Sequence, residues 1–173
     1  MVKVGINGFG RIGRLILRAL LENYKGKIQV VGINDLGSIE ANAHLIKFDS
    51  THGTLNHDVK TTKEGFQIGD QNIKVFAERD PSKLPWGKIG ADIVLECTGF
   101  FLDKKSAGKH IEAGAKKVII SAPAKEVDFT VVQGVNSKDL KKEHNVISNG
   151  SCTTNCLAPV AMVLENTFGI EYG

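Results

Sequence analysis

Val2-Lys3-Val4-Gly5-Ile6-Asn7-Gly8-Phe9-Gly10-Arg11-Ile12-Gly13 decides the fold. Val2 to Ile6 is a β-rich run. Gly8, Gly10 and Gly13 follow at once in a G-x-G-x-x-G pattern. Ile12, Leu15, Ile16, Ala19 and Leu20 then recur with helical spacing, and Gly26 ends that helix. Ile28 to Ile33 reads as a second strand closing on Asn34-Asp35. A strand, a glycine turn, a helix and a strand in this order form a βαβ unit. In that context the glycines carry meaning: the turn brings a helix N-terminus, with its free N–H groups, up to a pyrophosphate.

Asp35 stands 22 positions after Gly13. A carboxylate at the end of the second strand accepts hydrogen bonds from ribose hydroxyls and repels a 2′-phosphate, so NAD is expected rather than NADP. Asn7, Gly8, Gly10, Gly13, Asn34 and Asp35 are the first cofactor candidates.

The alternation continues outward. Ser38 is the expected N-cap of a helix running to about Lys47. Gly65–Ile68 and Asn72–Phe76, joined across Gly69-Asp70-Gln71, read as an antiparallel hairpin inserted in the parallel pattern. Strands are expected over 92–97, 118–120, 129–132 and 145–148. A helix opens at Asp103 and stops at Gly114. Thr98, Gly99 and Phe101 follow the buried strand 92–97, where ligands of open α/β sheets bind. Phe101 is a candidate wall for the adenine, although core packing would explain it equally well. Arg79 and Ser121 also lie at or after strand ends. The expected architecture is α/β: a Rossmann-type, doubly wound, mostly parallel sheet with helices on both faces.

Composition fits a globular domain. Of the 173 residues, 42% are hydrophobic and 24% charged, which argues against disorder. The net charge is +3, but the lysine pairs 104–105, 116–117 and 141–142 are scattered, so no specific nucleic-acid patch is expected. Three cysteines, Cys97, Cys152 and Cys156, have no disulfide-framework spacing and suggest a reducing compartment. No apolar run approaches the roughly 20 residues of a membrane span. With no signal-like start either, a soluble, cytoplasmic protein is expected.

The second constellation is Ser148-Asn149-Gly150-Ser151-Cys152-Thr153-Thr154-Asn155-Cys156. A polar loop delivers Cys152 to the start of a helix expected over 152–166, with Pro159 bending it. A helix N-terminus stabilises a thiolate. Ser151 and Thr153 flank the sulfur and offer hydroxyls to substrate or phosphate oxygens. The residue types alone leave open that Ser151 is only an N-cap and Cys152 a small helix residue. No third or fourth ligand accompanies Cys152 and Cys156, so no metal is expected. Cys156 reads as a packing residue and Cys97 as an inert buried thiol. His44, His52, His57, His110 and His144 read as surface or helix side chains. None forms a motif with Cys152. Phe168–Gly173 reads as the start of a strand. A dinucleotide-binding domain over 1–151 and the beginning of a truncated second domain over 152–173 are therefore expected.

Three motifs, Asn7-Gly8-Phe9-Gly10-Arg11-Ile12-Gly13-Arg14, Phe48-Asp49-Ser50-Thr51-His52-Gly53 and Ser151-Cys152-Thr153-Thr154-Asn155-Cys156, resemble glyceraldehyde-3-phosphate dehydrogenase in order and spacing. The resemblance covers the whole chain, about the first half of a family member. It implies a glycolytic, homotetrameric NAD-dependent enzyme that oxidatively phosphorylates glyceraldehyde 3-phosphate. In it Cys152 forms the thioester, inorganic phosphate is co-substrate, Ser151 and Thr153 hold phosphate, and Arg11, Ile12, Asp35, Arg79 and Ser121 meet the cofactor. It also implies a base histidine beyond Gly173, so this chain alone is expected to be inactive. Gly150 replaces the family's usual alanine. The alternatives are an erythrose-4-phosphate dehydrogenase of the same family, or a free-standing dinucleotide-binding module with Cys152 as a redox sensor.

Overall fold

A computed structural model describes residues 1–173. Eleven strands are formed: β1 (Val2–Asn7), β2 (Ile28–Asn34), β3 (Phe48–Asp49), β4 (Gly53–Thr54), β5 (Val59–Thr62), β6 (Gly65–Ile68), β7 (Gln71–Phe76), β8 (Ile93–Glu96), β9 (Lys117–Ile120), β10 (Phe129–Thr130) and β11 (Val146–Ser148). The helices are α1 (Arg11–Asn23), α2 (Ile39–Lys47), α3 (Trp86–Ile89), α4 (Lys104–Glu112) and α5 (Cys152–Phe168). Nine strands build one sheet in the order β10-β11-β9-β8-β1-β2-β7-β6-β5. From β10 to β7 every pairing is parallel; β5, β6 and β7 pair antiparallel. The parallel order reverses between β1 and β8, and such a reversal opens a crevice at the carboxyl edge of the sheet.

Both faces are covered, as the alternation predicts. On one face Val4 and Ile6 of β1 and Val30 and Ile33 of β2 join Leu17 and Leu21 of α1 and Ala43 and Ile46 of α2 in the main core. On the other face Val94 packs with Trp86, and Val118 and Ile120 pack with Ala107 of α4. Gly5 makes room there: a Cβ on it would lie 2.6 Å from the Trp86 ring.

The caps follow the sequence. Ser38 accepts from the Ala41 amide at 3.1 Å, and Asp103 accepts from the Ser106 amide at 2.8 Å. Each satisfies an orphan N–H of a first helical turn. Three lysines of the pairs are anchored: Lys104 binds Asp128 at 2.6 Å, Lys116 binds Asp92 at 2.7 Å, and Lys117 reaches the carbonyls of Lys142 and His144.

Several expectations are corrected. The buried stripe of α1 is Gly13, Leu17, Arg18 and Leu21, not the one through Ile12 and Ala19. The apolar side chains span a broad arc beside a strip of Arg11, Arg14, Arg18 and Glu22, and the close seating of Gly13 on the turn below it selects which part is buried. Arg18 is buried because its guanidinium donates to the carbonyls of Ile46, Lys47 and Gly53, closing the C-terminal end of α2. The expected antiparallel hairpin is present. Its second strand, β7, is also the third strand of the parallel sheet, and β5 adds a further antiparallel strand. The small β3–β4 ribbon and α3 had no sequence signal. Strand 129–132 is shortened to Phe129–Thr130. Residues 168–173 do not form a strand. Helix α5 continues through Phe168, and the Glu165 carboxylate accepts from the Ile170 amide at 2.7 Å. No neighbouring strand is present to pair with that segment. Pro159 lies inside α5 without ending it, and no residue of α5 is buried, so Cys156 is exposed rather than packed.

Candidate functional site

The last residues of the parallel strands lie in one register row, Asn34, Asn7, Glu96, Ile120 and Ser148. Both sequence constellations therefore leave the sheet at the same edge. Asn7 and Ser148 are three strand spacings apart, about 14 Å.

At the crevice a cleft of about 540 Å³ is lined by Asn7, Gly8, Gly10, Asn34, Asp35, Leu36, Glu78, Arg79, Cys97, Thr98, Phe100 and Phe101. Eight of the expected cofactor residues come together here. The turn beneath it is fixed from several sides. The Gly8 amide donates to the Asn34 carbonyl at 2.8 Å, the Phe9 amide to Asp35 Oδ2 at 2.9 Å, and Arg14 Nη1 to the Phe9 carbonyl at 2.8 Å. Gly8 has φ +90°, and a Cβ on it would lie 2.7 Å from the Thr98 amide nitrogen. Gly10 is exposed, with nothing within 4 Å of a Cβ position, and it caps α1 without a side chain. The first N–H groups of α1 thus have neither an intrahelical nor a side-chain partner. That vacancy of donors, beside open space at a positive helix end, is what a pyrophosphate requires.

Asp35 Oδ1 accepts from the Gly37 amide at 2.8 Å. A carboxylate has about four acceptor sites, so Asp35 stays oriented while keeping capacity for ribose hydroxyls. The residues present fit a dinucleotide.

The other expected cofactor residues stand outside the lining. Arg11 is held by Asp49, which also accepts from the amides of Thr51 and His52. Those amides, His52 first, and the guanidinium hold the Asp49 carboxyl down at about 2. Ile12 is half-exposed at the start of α1, and Gly13 is buried under the turn. Gly99 sits in the exposed loop after β8 with φ +76°. Ser121 follows β9, its amide donating to the Glu96 carbonyl at 3.0 Å.

Leu36, Glu78, Cys97 and Phe100 were not read as site residues. Phe100 is 84% exposed, an apolar ring left in solvent at the cleft. Cys97 lies just after β8; burial pushes its thiol up to about 12, against a hydrogen bond with Ser121. His110 does lie on a helix, but it is fully buried.

At the second constellation Ser151 is the N-cap of α5. Its Oγ accepts from the Thr154 amide at 2.9 Å and lies 2.8 Å from Thr153 Oγ1. Asn155 Nδ2 reaches back to the carbonyls of Asn149 and Ser151 at 2.7 and 2.9 Å. Gly150 takes φ +68°, a left-handed backbone that glycine adopts freely. Cys152 is the first residue of the helix and is exposed, with Ser151 and Thr153 on either side of it in the chain. No group of three or more His, Cys, Asp or Glu side chains is placed to hold a metal ion.

Comparison with known proteins settles the family. Residues 2–104 match the model of the glyceraldehyde 3-phosphate dehydrogenase NAD binding domain, more than half of the chain. The chain belongs to the glyceraldehyde-3-phosphate dehydrogenase family. Residues 151–173 match that family's C-terminal domain. The chain is 55% identical over 172 residues to glyceraldehyde-3-phosphate dehydrogenase of Xanthobacter flavus and 57% identical over 173 residues to that of Geobacillus stearothermophilus. It is 56% identical to glyceraldehyde-3-phosphate dehydrogenase 1 of Bacillus subtilis. Each match covers 99% of this chain and 51% of the relative, so the chain spans about half the length of these relatives. The cleft at the β1–β8 reversal thus lies within the family's NAD-binding domain. No helix is long and apolar enough to cross a membrane.

Proposed function

We propose that this chain is the NAD-binding half of a dehydrogenase that oxidatively phosphorylates glyceraldehyde 3-phosphate. Residues 1–151 form the dinucleotide domain, and 152–173 contribute the first helix of the catalytic domain. The observation that carries the reading is the pairing of two sites on one sheet edge. An uncapped helix end with an oriented Asp35 lies on one side, and an exposed thiol at the start of another helix, next in sequence to Ser151 and Thr153, lies on the other.

NAD bound in the cleft supplies the hydride acceptor. Gly8, Gly10, Arg11, Ile12 and Gly13 shape the pyrophosphate site. Asp35, aided by Asn34, selects an unphosphorylated ribose, and Arg79, Thr98, Gly99, Phe101 and Ser121 complete the walls. Cys152 as a thiolate adds to the aldehyde carbon; the oxidised acyl group stays on sulfur as a thioester, and inorganic phosphate releases it as an acyl phosphate. The hydroxyls of Ser151 and Thr153 donate to phosphate oxygens beside the sulfur. A homotetramer is the assembly proposed for the complete enzyme.

Asp35→Ala is expected to weaken NAD binding about tenfold and to narrow the preference over NADP, by removing charge-assisted hydrogen bonds and the repulsion of a 2′-phosphate. Parallel calorimetric titrations measure both; an unchanged NAD/NADP ratio counts against the role given to Asp35. A thiolate of this kind also needs a base. No side chain hydrogen-bonds the Cys152 sulfur, and His110 is sealed in the core. The 173-residue polypeptide assayed alone with aldehyde, NAD and phosphate should give no NADH above background, and turnover at an ordinary enzyme rate would contradict this.

A further inference from the structure

Behind the glycine turn lies a polar chain almost sealed from solvent. Trp86 and His110 are 0% exposed, Asn7 and Glu96 1%, and Asn34 6%. The direction of each bond can be deduced. The Trp86 indole N–H can only donate, and it lies 2.9 Å from His110 Nδ1. That nitrogen is therefore an acceptor, the ring proton sits on Nε2, and Nε2 donates to Glu96 Oε2 at 3.0 Å. Asn7 Nδ2 donates to the same oxygen at 2.6 Å. Its 3.4 Å distance from His110 Nε2 is the separation of two donors sharing one acceptor. The other oxygen, Glu96 Oε1, accepts from the Thr98 amide at 2.7 Å and from the Thr98 hydroxyl. The backbone N–H of Thr98, the side chains of Asn7 and His110 and the Thr98 hydroxyl thus converge on one carboxyl, the partner set a carboxylate accepts from.

The chain continues across the turn. Asn34 Nδ2 donates to Asn7 Oδ1 at 2.7 Å and to the Glu78 carbonyl at 2.8 Å, and the Glu78 amide donates to Asn34 Oδ1 at 2.8 Å. Three segments that line the cleft are thereby tied to one anion: the Gly8 turn, Glu78-Arg79 and Thr98–Phe101. Glu96, His110 and Trp86 are not themselves part of the lining. A buried carboxylate with no cation beside it is costly, and apolar side chains could fill the same space without that desolvation. The arrangement holds loops in place.

We propose that Glu96 is a positioning residue of the dinucleotide site, with His110 and Trp86 as its rear support; this rests on the NAD-binding role proposed for the cleft. Glu96 fixes Asn7 on one side of Gly8 and Thr98 on the other, setting the width of the cleft before the cofactor arrives.

The test is a double-mutant cycle read by calorimetric NAD affinity, at a temperature where circular dichroism shows each variant folded. Glu96→Gln, which turns an NH2 group toward existing donors, should weaken NAD binding at least about tenfold. Thr98→Val should weaken it severalfold, measured below its own, lowered thermal midpoint, and the double variant should be no worse than Glu96→Gln alone. Asp128→Asn removes a carboxylate that binds Lys104 and the amides of Asn145 and Val146, none of which lines the cleft; it should leave NAD affinity unchanged. A Glu96→Gln affinity within twofold of the unsubstituted chain, or losses that add, overturns the proposal. If Glu96→Gln does not fold, Thr98→Val decides: unchanged affinity overturns the role. If the unsubstituted folded chain binds no NAD, the cofactor reading and this one fall together. Binding that is indifferent to both substitutions removes this one alone.

Discussion

Gly13→Ala is expected to abolish measurable NAD binding and to lower the stability of the chain by about 3 kcal/mol, near the top of the range for overpacked sites. A Cβ on Gly13 would lie 2.2 Å from the Gly8 carbonyl oxygen and 3.2 Å from Ile6 Cγ2. The first is a backbone atom of the turn itself, which cannot rotate away as a flexible side chain would. Relief requires α1 to lift from β1, and two consequences follow. Leu17 and Leu21, the helix residues buried in the main core, lose part of their packing. The N–H groups at the helix start also move away from the pyrophosphate position. Gly10→Ala is the matched comparison, because a Cβ there meets nothing within 4 Å. It should fold with nearly unchanged stability and lose affinity only through crowding of the ligand. Denaturant unfolding and calorimetric titration separate the two effects. A Gly13→Ala chain as stable as the original would show that the helix does not rest on the turn as described.

Alkylation at pH 7.5 should divide the three cysteines into two classes. Cys152 and Cys156 are exposed, whereas Cys97 is pushed up to about 12 by burial. Because only the thiolate reacts, a thiol at that value carries about a thousandfold less reactive form at neutral pH than an ordinary one. Limited iodoacetamide treatment followed by peptide mass spectrometry should find label on Cys152 and Cys156 and none on Cys97 while the chain stays folded. Denaturation should make all three react. Cys97 lines the cleft as well, so added NAD should shield it further and leave Cys156 labelling unchanged. Rapid labelling of Cys97 in the folded chain would mean that the end of β8 opens to solvent far more than its packing allows.

The elements with local signals were legible in the sequence. The glycine turn, β1, β2 and the caps at Ser38 and Asp103 depend on residues a few positions apart, and they form where their patterns place them. Asp35 could be read because its spacing from Gly13 is set by one βαβ unit. The errors are non-local. The apolar residues of α1 leave more than one face eligible for burial, and the close seating of Gly13 on the Gly8 turn, where a Cβ would lie 2.2 Å from the Gly8 carbonyl oxygen, goes with the one that is buried. The double role of β7 depends on its meeting β2, about 40 residues earlier in sequence. Residues 168–173 have strand-like composition, but a strand needs a partner and none is present. His110 looked like an ordinary helix histidine because its partners, Trp86, Glu96 and Asn7, come from three other parts of the chain. Leu36 and Phe100 could have been suspected, being apolar residues beside strand ends that already carried candidates. Glu96 stands in a strand read as buried, which was the available signal; its partners, coming from other parts of the chain, were not legible.

The most direct test is a calorimetric titration of the 173-residue chain with NAD, and with NADP in parallel, after circular dichroism has shown the chain folded. Saturable NAD binding at one site, with NADP weaker by at least about tenfold, is the predicted result. A folded chain that binds neither nucleotide, or both equally, would contradict the assignment of the β1–β8 cleft as an NAD site selected by Asp35.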